Sequence, residues 1–126
     1  MRALRVITLG WLAIFAPIET YLSRSALLNG NYTVDLASMI MMAVGVWMAF
    51  GRRRGAAAVL AAGWAWETAS FWRGTTTRFD RLAAGLPVEG GSIGPWVGVA
   101  LTVLMTACVV WALVIAARES PPNPEA

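Results

Sequence analysis

The chemistry open to this 126-residue chain is narrow. It has seven carboxylates, ten basic side chains that are all arginine, one cysteine and no histidine. The most unusual segment runs from Trp64 to Arg73, where Glu67 stands among Trp64, Trp66, Ser70, Phe71 and Trp72. On a helix Glu67 lies about one and a half turns before Arg73. Trp64, Ser70 and Phe71 share its face at −3, +3 and +4, and Trp66 shares another face with Arg73. An acid flanked by flat aromatics and close to arginines can line a polar pocket for a headgroup, a cation or an amphipathic ligand. It can equally be a buried tie to Arg24 or Arg78 that fixes helix register, with the tryptophans marking a membrane interface. Glu19, two residues after Pro17, carries the same ambiguity: a coupling carboxylate beside a proline, or an acid near the headgroups that meets water.

Other chemistries are poorly served. Without histidine there is no His-ligated metal or haem site within the chain. No nucleophile elbow is present, and Gly90-Gly91-Ser92-Ile93-Gly94 lacks the lysine of a phosphate loop. Met39, Met41, Met42 and Met48 have no nearby Cys or His and read as adaptable packing. Cys108 cannot form an internal disulfide and reads as a small apolar residue. No catalytic residue, metal ligand or cofactor is therefore assigned. A membrane enzyme using Glu19 and Glu67 on a lipid-like substrate is kept as the last of three functional readings.

The elements that must position these residues are four apolar stretches, about residues 4–22, 34–50, 56–72 and 94–117. Each is long enough to cross a hydrocarbon core of about 30 Å at 1.5 Å per residue. The composition agrees: 58% hydrophobic, 13% charged, mean hydropathy +0.61. A water-soluble domain of this size cannot hide so much apolar surface. The arginines flank the stretches and form no long basic face, so they read as topology signals and headgroup contacts, with no nucleic-acid partner. The first stretch resembles a signal peptide, but Pro17 after Ala16 and the bulky Ile14 disfavour cleavage, and it reads as a retained helix. The expected fold is an all-α bundle of four transmembrane helices within residues 1–118, with a disordered cytoplasmic tail at 119–126.

Local signals fill in the plan. Pro17 removes a bond to Ala13 and predicts a kink. Asn29-Gly30-Asn31 predicts a turn, and Asp35 is placed in the first turn of the second span. Gly51-Arg52-Arg53-Arg54-Gly55 predicts a tight antiparallel hairpin. Between spans three and four, Phe79, Leu82, Ala83 and Leu86 predict a short amphipathic interfacial helix, capped by Thr77 and Asp80 and stopped by Gly85 and Pro87. Gly94, Gly98, Thr102 and Thr106 form a small-residue stripe for helix packing, inside the bundle or between subunits.

Four spans put Arg2, Arg5, Arg52, Arg53, Arg54 and Arg118 on one side, and Arg24, Arg73, Arg78 and Arg81 on the other. The positive-inside rule then places both termini in the cytoplasm of a bacterial-type inner membrane. Glu19, Asp35, Glu67, Asp80 and Glu89 fall toward the opposite leaflet, with Arg24, Arg78 and Arg81 as charge partners. The size and plan resemble the small multidrug resistance transporters, which carry an essential glutamate in their first helix. That resemblance would cast Glu19 in its role, although the connection from Arg73 to Ser92 is longer than that family's loops. The first functional expectation is an accessory or scaffolding subunit of a larger membrane assembly, or a homo-oligomer. The alternative is a small proton- or ion-coupled transporter or channel using Glu19 and Glu67. The expected partners are the lipid bilayer and other membrane subunits or itself.

Overall fold

The computed structural model describes residues 1–22, 30–88 and 90–119. Among the described residues the fold is all-helical: α1 (Arg2–Leu22), α2 (Gly30–Phe50), α3 (Ala56–Ala83) and α4 (Gly94–Glu119). α3 packs against both α2 and α4, α1 lies along α2, and α1 meets α4 only sparsely. Two helices are long and apolar enough to cross a bilayer, Arg2–Tyr21 of α1 and Gly94–Glu119 of α4. The apolar part of α2, Asp35–Phe50, is shorter. Arg24, Asn29, Glu89 and the tail from residue 120 onward lie outside the described residues, and so do the expectations placed on them.

Two expectations are corrected. α2 begins at Gly30, so Asp35 lies beyond its first turn and is not a dipole-capping acid. Among the described residues there is also no separate amphipathic helix between the third and fourth helices. α3 runs unbroken to Ala83, and Phe79 and Leu82 belong to its last turns. The segment Arg73-Gly74-Thr75-Thr76-Thr77 looks like a break because of its low helix propensity. Its hydroxyls fold back onto the helix: Thr75 Oγ1 donates to Phe71 O at 2.9 Å and Thr77 Oγ1 to Arg73 O at 2.9 Å. Thr77 is thus an interior residue and not a cap. Edge-on packing of Phe79 against Trp96, 5.3 Å between centroids, ties this extension to α4.

Gly85, expected to stop a separate short helix, instead closes α3. Its φ is +69°, and the bonds Gly85 N–H to Leu82 O (3.0 Å) and Leu86 N–H to Arg81 O (2.9 Å) close the helix on a left-handed residue. The α2–α3 hairpin closes identically, with Arg52 N–H to Ala49 O (3.3 Å) and Arg53 N–H to Met48 O (2.9 Å). There the left-handed position is occupied by Arg52, φ +51°, where glycine is usual.

The interior mixes small and hydroxyl-bearing residues with a few large ones: Leu4, Met42, Leu60, Trp64 and Met105 are fully buried beside Thr8, Ser38 and Thr75. A Cβ added to Gly63 would stand 2.7 Å from Met42 Cγ, and one on Gly45 would stand 2.8 Å from Leu60. At Gly98 it would overlap the Thr75 hydroxyl. Gly98, and with it the upper part of the glycine–threonine stripe, is therefore spent on contact between α3 and α4, while Thr106 lower down is exposed. Many other large apolar side chains point outward, among them Val6, Ile14, Trp47, Phe50, Val103 and Leu104.

Gly98→Ala is expected to lower stability by about 1–3 kcal/mol, because the branched Thr75 has little rotamer freedom to give way. Gly10→Ala, with no atom within 4 Å of the added carbon, is expected to leave stability unchanged or slightly raised. SDS titration of helicity in detergent micelles compares the two.

Candidate functional site

Faces of three helices meet near one end of the bundle. On α1 they are Thr8, Trp11, Phe15 and Glu19, spaced by three and four; on α2, Asp35, Ser38 and Met39; on α3, Glu67, Ser70, Phe71, Gly74 and Arg78. Together Phe15, Glu19, Asp35, Met39, Glu67, Ser70, Phe71, Gly74 and Arg78 enclose a cavity of about 260 Å³. Three carboxylates, one from each helix, thus share a small space with one guanidinium.

Glu67 is the deepest, 6% exposed, and Ser38 Oγ donates a hydrogen bond to its Oε2. Asp35 and Glu19 are both near enough to repel it electrostatically. Asp35 in turn feels the like charge of Glu19 and the opposite charge of Arg73. The Trp11 indole N–H lies beside Glu67, fully buried and with no hydrogen-bond partner among the described residues. Crowding like charges beside apolar walls is costly unless a proton or a cation joins them. Among the described residues no group of three or more His, Cys, Asp or Glu side chains is arranged to hold a metal ion.

Aromatic rings divide this cavity from an apolar cleft. Trp11 stacks on Phe15 at 3.7 Å and 14° and meets Phe71 edge-on at 6.5 Å. On its other side Trp11 meets Trp64, centroids 5.5 Å apart. Trp11 and Trp64 line the cleft of about 340 Å³ between α1 and α4, together with Ile7, Leu101, Leu104, Met105, Ala107, Cys108 and Trp111. Trp64 Nε1 donates to Thr8 Oγ1 at 3.0 Å, and the Thr8 hydroxyl donates to Leu4 O at 2.9 Å, so both buried polar groups are satisfied.

The residues singled out from sequence therefore divide. Glu19, Asp35, Glu67, Ser70, Phe71 and Arg78 line the cavity. Trp64 is buried but belongs to the neighbouring cleft, Trp66 is 45% exposed on the outer face, and Arg73 acts on Asp35 without lining the cavity. Asp80 is exposed, and Arg81 donates from Nη2 to Pro87 O at 3.1 Å in the α3–α4 connection. On α4, Gly94 and Gly98 line a groove with Phe71 and Arg78, while Thr102 and Thr106 donate to the carbonyls of Gly98 and Thr102. Ser38, Trp11 and Phe15 are additions that the structure makes, and Met39, read from sequence as packing, also lines the cavity. The spacing of four from Trp11 to Phe15 to Glu19, and of three from Asp35 to Ser38, is the signal that marks them. No protein-family model, curated protein or solved structure matches this chain.

Ser38→Ala removes the hydroxyl donor of a buried carboxylate and is expected to cost about 1–3 kcal/mol of stability. Thr106→Ala, an exposed hydroxyl bonded only within its own helix, is the matched control and is expected to be near neutral. Denaturant titrations of the two variants in the same micelles give the comparison.

Proposed function

We propose that this chain is a multi-pass membrane protein, its four helices crossing a bacterial-type inner membrane with both termini cytoplasmic. We further propose that it uses the acid cavity for proton- or cation-coupled passage of a small solute. The observation that carries the reading is the convergence of Glu19, Asp35 and Glu67 from three helices on one 260 Å³ space. A structural tie needs one carboxylate and one partner. Three acids facing Arg78 form a site whose occupancy by a proton or a cation changes the local charge. The membrane setting is supported by the outward-facing apolar side chains, the glycine contacts inside and the two helices of spanning length and composition. The aromatic wall of Phe15 and Phe71 favours an organic or partly hydrated cation over a tightly ligated metal ion.

A second reading is an accessory or scaffolding subunit of a larger assembly, or a homo-oligomer. It draws on the sparse meeting of α1 with α4, which leaves the bundle open on one side. It requires that a particle extracted in mild detergent carry stoichiometric partners or copies in its native mass spectrum. A bare monomer would remove it.

For the coupled-passage reading, Glu67→Gln and Glu19→Gln are each expected to abolish proton-linked cation flux in proteoliposomes while the helical spectrum is retained. Unchanged flux in both variants would dismiss it. For the topology, single cysteines introduced at Arg53 and at Gly91 in a Cys108→Ala background are expected to react from opposite sides of the membrane. Labelling of both from one side would contradict a crossing by α3.

A further inference from the structure

The end of the bundle opposite the acid cavity holds a second, oppositely charged cavity. It has a volume of about 460 Å³ and is bounded by Met1 and Arg5 at the start of α1, Ala49 of α2, Arg52, Arg53 and Arg54 of the hairpin, Ala56 of α3 and Glu119 of α4. Four guanidinium groups face it against one carboxylate. Two of them are fixed over aromatic rings. The Arg5 guanidinium carbon lies 4.8 Å from the Phe50 centroid, and Arg5 Nη1 donates to Ala49 O at 3.4 Å. Arg53 sits 4.2 Å from the Trp47 centroid and packs back across Gly51. Stacking of this kind holds a guanidinium plane in place while leaving its N–H edge available.

The backbone adds to the field. Gly55 occupies the N-cap of α3 and has no side chain to accept from the first-turn amides, and Ala56, the first residue of that turn, borders the cavity. Trp47 and Phe50, both exposed, form an aromatic rim of the kind that settles at headgroup level.

We infer that this arginine basin is a binding site for a phosphate-bearing anion. Guanidinium forks match phosphate oxygens, and basic hollows between helix ends on the positive side of a membrane take anionic headgroups. The same chemistry admits the phosphodiester of an anionic lipid or free phosphate. The site is separate from the acid cavity and uses none of its residues.

The test is native mass spectrometry of the detergent-purified chain supplied with equal phosphatidylglycerol and phosphatidylcholine. The wild-type chain retains phosphatidylglycerol in preference. The preference falls by about fivefold for each arginine removed in Arg5→Gln and in Arg5→Gln/Arg53→Gln, each arginine near the surface contributing roughly equally. Arg118→Gln, the same loss of charge outside the basin, keeps the wild-type preference. Inorganic phosphate added to the wild-type complex separates the sources. Displacement of the lipid marks a site that free phosphate fills, and persistence of the lipid marks a headgroup site. Equal retention of the two lipids with no displaceable phosphate would overturn the inference. So would an Arg118→Gln loss as large as that of the double variant, since the attraction would then be diffuse. Helicity of each variant, measured in the same micelles, separates loss of binding from loss of fold.

Discussion

The carboxylate of Glu67 inside a bundle whose outer surface is apolar is the constraint from which the rest of this structure follows. An ionised acid far from water costs several kcal/mol unless neighbours replace its hydration. Here the replacement is local, a hydrogen bond donated by the Ser38 hydroxyl of α2. That bond ties the rotation of α2 to that of α3. Helix register and site geometry are then one problem, and a shift of α2 by a single residue would take Ser38 away from Glu67.

Close helix approach makes the arrangement sterically possible. Gly45 and Gly63 let α2 and α3 meet backbone to side chain, and Gly98 admits Thr75. In water such contacts would bury too little apolar surface to hold a bundle of this size. In lipid, large side chains gain little from facing inward, so packing of small residues and internal hydrogen bonds decide which surfaces meet. The packing seen here is consistent with that logic in part: Thr8, Ser38 and Thr75 are buried while Val6, Ile14, Trp47 and Val103 face outward, although Leu4, Met42, Leu60, Trp64 and Met105 are also buried. The two cavities also differ in charge: three acids and one arginine line one, four arginines and one acid the other.

How much of this was legible in the sequence depends on whether the signal is local. The hairpin at residues 51–55 and the start of α4 at Gly94 were legible, because glycine and proline act through their own backbone; the stop at Gly85 was legible as a stop, but the helix it ends is α3 and not a separate one. The continuation of α3 through Gly74 and three successive threonines was not. Their low propensity is offset by hydroxyls bonded within the helix and by the fit of Thr75 against Gly98, a tertiary contact that no local pattern reports. Glu19, Glu67, Ser70 and Phe71 stood out because charge or aromatic density in an apolar run is conspicuous. Ser38 did not, since a serine in a methionine-rich helix is unremarkable until the opposing acid is known. Trp64 drew notice by its spacing from Glu67, yet its indole turns to Thr8 of another helix.

The central claim is that the acid cavity lies within the membrane-embedded bundle and opens to water on the side away from the termini. Ser70, half-buried in its lining, reports on this directly when replaced by cysteine in a Cys108→Ala background. A membrane-impermeant thiol reagent added to intact cells is predicted to modify that cysteine. Modification only after the membrane is breached, or only from the cytoplasmic face, would contradict the account.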